Sequence, residues 1–157
     1  MGISFALEKI SKGLVGELDP LFKGLYSEIA HNDSSRSYNP APYFQLDSVG
    51  ALRIFTARYP EGMVGFSIFF VGPNHQDGNR IEAKQDLFYL KQENRVGMLG
   101  FRFLSWCDEQ LANDGATTIY FHTSTKLNYG KLLEKLGYYQ HQIVYARRIR
   151  QCVPDLR

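Results

Sequence analysis

Cysteine is nearly absent. Two in 157 residues, Cys107 and Cys152, cannot form a disulfide framework, so a reducing compartment is expected. Long apolar runs are missing too, and none approaches the roughly 20 residues that a membrane-spanning helix needs. The N-terminus has no basic segment leading into an apolar core, so no secretion signal is expected. Ala6 stands where a myristoylation signal after Met1-Gly2 would need Ser or Thr. No His, Cys and carboxylate group has metal-ligand spacing, so no metal is expected. Neither charge is in excess: 18 Lys and Arg against 16 Asp and Glu leave +2, too little by itself to argue for nucleic acid. Repeats and low-complexity segments are lacking. These absences describe a soluble, cytoplasmic protein with no membrane partner.

What is present is an ordinary globular composition, 44% hydrophobic and 22% charged, long enough to bury a core without staples. Ten tyrosines and eleven phenylalanines are many, and suit a ring-lined cleft. Residues 1–150 are expected to form one domain, with 151–157 as a tail.

Ile3 to Glu8 alternates as a strand. Ser11 is a plausible N-cap for a helix whose stripe is Leu14, Leu18, Leu21, Leu25 and Ile29. Asp19-Pro20 predicts a kink there or two abutting helices. Residues 31–42 read as a loop, Pro42 to Val49 as a short helix. Leu52 to Tyr59 and Met63 to Val71 read as a hairpin turning at Pro60-Glu61-Gly62. Ile81 to Leu90 is the next strand, Gly97 to Asn113 a helix stopped by Asp114-Gly115, and Thr117 to Thr123 a strand. Leu127 to Leu136 is a helix capped by Gly137, and Tyr139 to Ile149 a closing strand. The order is β-α-α-β-β-β-α-β-α-β. Trp106 and Cys107 read as helix core. Arg147, Arg148 and Arg150 could attract nucleic acid, but on an edge strand they are better read as charges against aggregation.

The most informative stretch is Asp86 to Phe101, DLFYLKQENRVGMLGF. A half-buried strand passes through a polar loop into a glycine-bracketed helix start. Gly97 and Gly100 allow close backbone approach, and first-turn N–H groups have no intrahelical acceptor, so this is a receptor for phosphate.

With Leu132 to Tyr138, LLEKLGY, this stretch resembles the GNAT superfamily of acetyl-CoA-dependent N-acetyltransferases. That family opens a helix with Arg/Gln-x-x-Gly-x-Gly/Ala and carries a later LYEKLGF signature. Arg95 and Gly100 match; Met98 stands at the usual first glycine, with Gly97 one residue early. Similarity to short phage and prophage members is carried by Glu28 to His31, Gly50 to Arg58 and Phe69 to Asn74, which implies a phage origin and a host-cytoplasm location. The resemblance implies a single α/β domain, its mixed sheet of about six to seven strands flanked by helices, that transfers acetyl from acetyl-CoA to a primary amine in a ternary complex. A catalytically weak or inactive binding protein on this scaffold, a phage-type interaction protein acting on a host component, is the alternative. Frequent pairing in the family leaves a homodimer open.

The resemblance also implies roles. The amides of Val96, Gly97, Met98, Leu99, Gly100 and Phe101 would hold the pyrophosphate, with Arg95 as a supporting charge. Phe88, Tyr89 and Leu90 would pair through their backbone with the pantetheine arm, and Ile119 to His122 would form the other wall. The tyrosine that protonates the departing thiol in many members is replaced by Leu133; Tyr129, one turn earlier, could substitute or could be packing. Lys126 replaces a common asparagine. Glu82 and Asp86 share strand parity with Phe88 and Leu90 and are candidate bases, unless solvated or ion-paired. His31 is a third candidate, unless it caps helix carbonyls. His122 reads as a partly buried structural histidine, and His75 and His141 carry no informative spacing.

Overall fold

The computed structural model describes residues 2–29 and 38–147. Five strands form one sheet in the order β1-β2-β3-β4-β5, comprising β1 Ser4–Glu8, β2 Leu52–Tyr59, β3 Gly62–Pro73, β4 Ile81–Leu90 and β5 Thr118–Tyr120. The first four are antiparallel neighbours joined through short connections or helices; β5 pairs parallel to β4. A parallel neighbour needs a crossover, which α3 (Leu99–Asn113) supplies. Helices α1 (Lys12–Ile29) and α2 (Ala41–Ser48) cover one face, α3 and α4 (Gly130–Lys135) the other.

Two cores follow from this layering. Leu14, Leu18, Leu21, Phe22 and Leu25 of α1 pack on Ile54, Phe66, Ile68 and Tyr89. Across the sheet Phe103, Leu104, Cys107 and Leu111 of α3 pack on Phe55, Phe69, Ala83, Phe88 and Leu90. Ser11 caps α1 as its sequence predicts, its Oγ accepting the Leu14 N–H at 3.1 Å. The helix then runs continuously through Pro20 rather than dividing. The proline and Gly16, whose carbonyl would have bonded it, are both exposed, so water can take the orphaned acceptor.

Among the described residues the sheet departs from expectation in its strand count, five rather than six or seven. Residues 139–147 form no strand, and Tyr139, Val144 and Tyr145 are 78%, 74% and 91% exposed. Alternation alone makes no strand; the segment pairs with no neighbour. β5 is also shorter than Thr117 to Thr123, because its ladder with β4 ends at Lys84–Tyr120. Arg148, Arg150 and Cys152 lie outside the described residues. Among those described, no helix is long and apolar enough to cross a membrane.

Candidate functional site

β4 carries a bulge that organises the site. Leu87 pairs with Ile68 and Gln85 with Phe69, so Asp86 is an extra residue without a partner on β3. An inserted residue reverses the side-chain alternation beyond it. Ala83 and, past the bulge, Phe88 and Leu90 face α3, while Leu87 and Tyr89 face α1. Glu82 therefore does not share a face with Phe88 and Leu90; uniform parity fails at Asp86. The Asp86 carboxylate instead takes the Tyr43 hydroxyl of α2 at 2.5 Å.

Just past the last β4–β5 pair the two strands separate. His122 is tied across the opening twice by Gln85. Its N–H donates to Gln85 Oε1 at 3.0 Å, and its ring Nδ1 lies 3.0 Å from the Gln85 carbonyl oxygen. Side chain and main chain of one glutamine thus replace the missing rungs. Beyond them the β5-facing edge of Phe88, Tyr89 and Leu90 continues without a paired strand.

The splay leads on the α3 face to Tyr129. Its ring meets Phe88 edge-on at 4.7 Å, and its hydroxyl is buried without a hydrogen-bond partner among the described residues. Burial pushes its pKa up to about 12, so it is a proton donor at neutral pH. A buried hydroxyl with nothing to bond is costly. Leu133, which takes the place of the family's tyrosine, is a core residue.

The glycine loop lies at the far end of β4. Gly97 has φ +68°, a left-handed conformation open to glycine at little cost, and nothing fills the space a Cβ would occupy. Met98 caps α3 without any side-chain hydrogen bond, and the helical ladder opens with Arg102 N–H to the Met98 carbonyl at 2.9 Å. The N–H groups of Leu99, Gly100 and Phe101 therefore have no helical acceptor. Gly100 has a packing duty as well: a Cβ there would lie 3.2 Å from Leu132 Cδ2 and 3.4 Å from Leu90 Cδ1. Val96 and Met98 are exposed beside the loop.

Arg95 is not the free supporting charge that its motif position implies. Its Nε donates to the Leu90 carbonyl at 2.8 Å, and both terminal nitrogens donate to Glu28 of α1 at 2.7 Å. The guanidinium also lies 5.1 Å from the Tyr89 ring centre. The hydrogen bonds from Arg95 hold the Glu28 carboxyl below the usual carboxylate range. Arg95 clasps the end of β4 to α1 and so sets where the loop begins.

On the α1–α2 face a cleft of about 490 Å³ opens beside the splay, its wall including His75, Glu82, Lys84, Tyr120, His122 and His141. The volume is that of a small-molecule site. Glu82 is already engaged: Asn74 donates to it and Lys84 Nζ is 3.1 Å away. Those contacts, the Asn74 bond first, lower its pKa and make it a poor proton acceptor. Burial raises that of Asp86, with the Tyr43 bond and the nearby His122 opposing. His31 lies outside the described residues. Among the described residues no three His, Cys, Asp or Glu could hold a metal ion.

No family model and no curated protein matches this sequence. Solved structures do match its fold. A ribosomal-protein-alanine N-acetyltransferase from Brucella melitensis biovar Abortus 2308 superposes with a TM-score of 0.73 at 17% identity, over 94% of this chain and 99% of its own. Glucosamine-6-phosphate N-acetyltransferase from Arabidopsis thaliana gives 0.71 at 11% identity, over 94% and 99%. An aminoglycoside acetyltransferase from an uncultured soil metagenomic sample, in complex with trehalose, gives 0.74 at 10% identity, over 95% and 97%. The class this defines is the single-domain α/β fold of acetyltransferases. Within it, the chain has the GNAT fold, its mixed sheet flanked by helices on both faces.

Proposed function

We propose that the protein transfers an acetyl group from acetyl-CoA to a primary amine. The observation that carries this reading is the buried hydroxyl of Tyr129, without a partner among the described residues, at the mouth of an unzipped strand pair. A thioester-bearing arm running along Phe88 to Leu90 would meet it, and the uncapped amides of Leu99, Gly100 and Phe101 would take the diphosphate at the arm's other end. The residues present fit the coenzyme. When bound, it supplies an activated acyl carbon on a sulfur leaving group.

The protein's own contribution is then positional and protic. The β4 edge holds the arm in register, Gly97 and α3 fix its anionic end, and the Arg95–Glu28 clasp keeps loop and strand aligned. Tyr129 donates its hydroxyl proton where the thiolate departs, a general-acid role. The acceptor amine enters from the cleft on the opposite face. The structural neighbours share acetyl transfer in their names and differ in acceptor, whether protein, sugar phosphate or aminoglycoside. This supports the acetyl donor and leaves the amine class to experiment.

Burial of Leu133 in place of the expected tyrosine favours one rival, a scaffold that binds the coenzyme without turnover. Two measurements separate them. Acetyl-CoA should raise the unfolding temperature under both, because a native-state ligand stabilises. Thioester consumption on adding glucosamine, spermidine or an alanine-leading peptide should occur only under the first. If the unfolding temperature does not move, both are refuted.

A further inference from the structure

We propose that His122 is the proton acceptor for the incoming amine, reacting through Nε2, with the Gln85 carbonyl fixing its tautomer. This rests on the acetyl-transfer reading and deepens it. A carbonyl oxygen can only accept, so the 3.0 Å contact requires the proton on Nδ1. In a neutral imidazole the other nitrogen then carries the lone pair. The His122 main-chain N–H is held by Gln85 Oε1 at 3.0 Å, which fixes the backbone from which the ring reaches that carbonyl.

The position is as informative as the tautomer. His122 is exposed, lines the cleft, and stands at the residue where β4 and β5 part. Tyr129 lies across the same splay on the α3 side. One opening therefore has a proton acceptor on one face and a proton donor on the other. The charged and titratable groups facing the imidazole are Asp86, Glu82 and Lys84 of β4, Tyr120 of β5, and His75 and His141 from the flanking segments. Glu82 and Lys84 neutralise each other as an ion pair. Asp86 forms no ion pair with Lys or Arg among the described residues, accepts the Tyr43 hydroxyl, and lies near enough to His122 to supply negative charge beside the imidazolium as it forms.

The protons balance. The ammonium of the acceptor gives one proton to Nε2, and the freed nitrogen lone pair forms the bond to the acyl carbon. The carbon–sulfur bond breaks with its electron pair on sulfur, which takes the Tyr129 proton. The second nitrogen proton restores Tyr129, and His122 releases its own to solvent.

Nitrogen-15 NMR of the imidazoles in the intact protein tests the tautomer with no acceptor present. His122 should show a protonated Nδ1 and an unprotonated Nε2; the reverse assignment overturns the proposal. H122N tests the chemistry, since its side-chain N–H can still donate to the Gln85 carbonyl while offering no basic nitrogen. With acetyl-CoA and the best of glucosamine, spermidine and an alanine-leading peptide, kcat should fall roughly 100-fold. The rise of kcat on the acid side should disappear, with the acetyl-CoA thermal shift unchanged. A rate and pH profile that survive H122N sink the base and leave acetyl transfer standing. Wild-type protein that consumes thioester with none of these amines sinks acetyl transfer, and the base with it.

Discussion

Replacing Tyr129 by Phe should make the coenzyme-free protein more stable and less active. The hydroxyl is buried and has no partner among the described residues, while the ring packs on Phe88 at 4.7 Å. Phe keeps the ring and its contact and removes only the orphaned group. An unsatisfied buried hydroxyl costs about 1–3 kcal/mol in lost hydration, so Y129F should gain about 1 kcal/mol. For a chain of this length that is roughly 2–4 °C in unfolding temperature. Urea unfolding should show a higher midpoint with unchanged slope, since the exposed surface barely differs. Turnover should fall, by roughly 10²-fold if proton donation to the thiolate is a general-acid contribution. The raised pKa, about 12, adds a second signature. Between pH 10 and 12 the unfolded chain loses this proton first, so wild-type stability falls as pH rises through that window. Y129F should lose that part of the decline. A variant less stable than wild type at neutral pH would mean that the hydroxyl already has a partner. A variant with full turnover would mean that sulfur departs without it.

Three more outcomes are expected. G97A should lower stability by about 1–2 kcal/mol, because its φ of +68° is left-handed and the open space around it offers no relief from backbone strain; acetyl-CoA affinity, read by calorimetry, should fall as well. E28Q should weaken acetyl-CoA binding roughly 10-fold by loosening the bidentate clasp on Arg95, whereas tighter binding would show that Arg95 is a phosphate ligand restrained by Glu28. Burial of Asp108 raises its pKa to about 6, with the Tyr138 hydroxyl bonded to it at 2.7 Å. The folded state holds that proton longer than the unfolded one, so its contribution is full below pH 4 and is lost as pH rises through 6. D108N should accordingly raise the urea midpoint at pH 7 and flatten its change between pH 4 and 6.

Local pattern was enough for most of the elements. Ser11 capping α1, the hairpin turning at Pro60-Glu61-Gly62 and the boundaries of β4 are dictated by side-chain spacing and by residues whose backbone preferences act within a turn or two, whereas α3 begins at Leu99, after the left-handed Gly97, rather than at Gly97 itself. The glycine loop and LLEKLGY were legible for the same reason: each is contiguous in the chain.

The chemistry of the site was decided by tertiary contacts. No local signal marks Asp86 as a bulge, because an extra residue exists only relative to the partner strand, and the β3 register makes it one. That insertion undoes the uniform alternation by which Glu82, Asp86, Phe88 and Leu90 would share a face. Likewise Arg95 meets Glu28 across 67 residues of sequence, and His122 meets Gln85 across 37. The closing strand failed for a related reason, since residues 139–147 alternate but gain no ladder. Periodicity says which side of its own backbone a residue takes; only the packed sheet says which groups wait on that side.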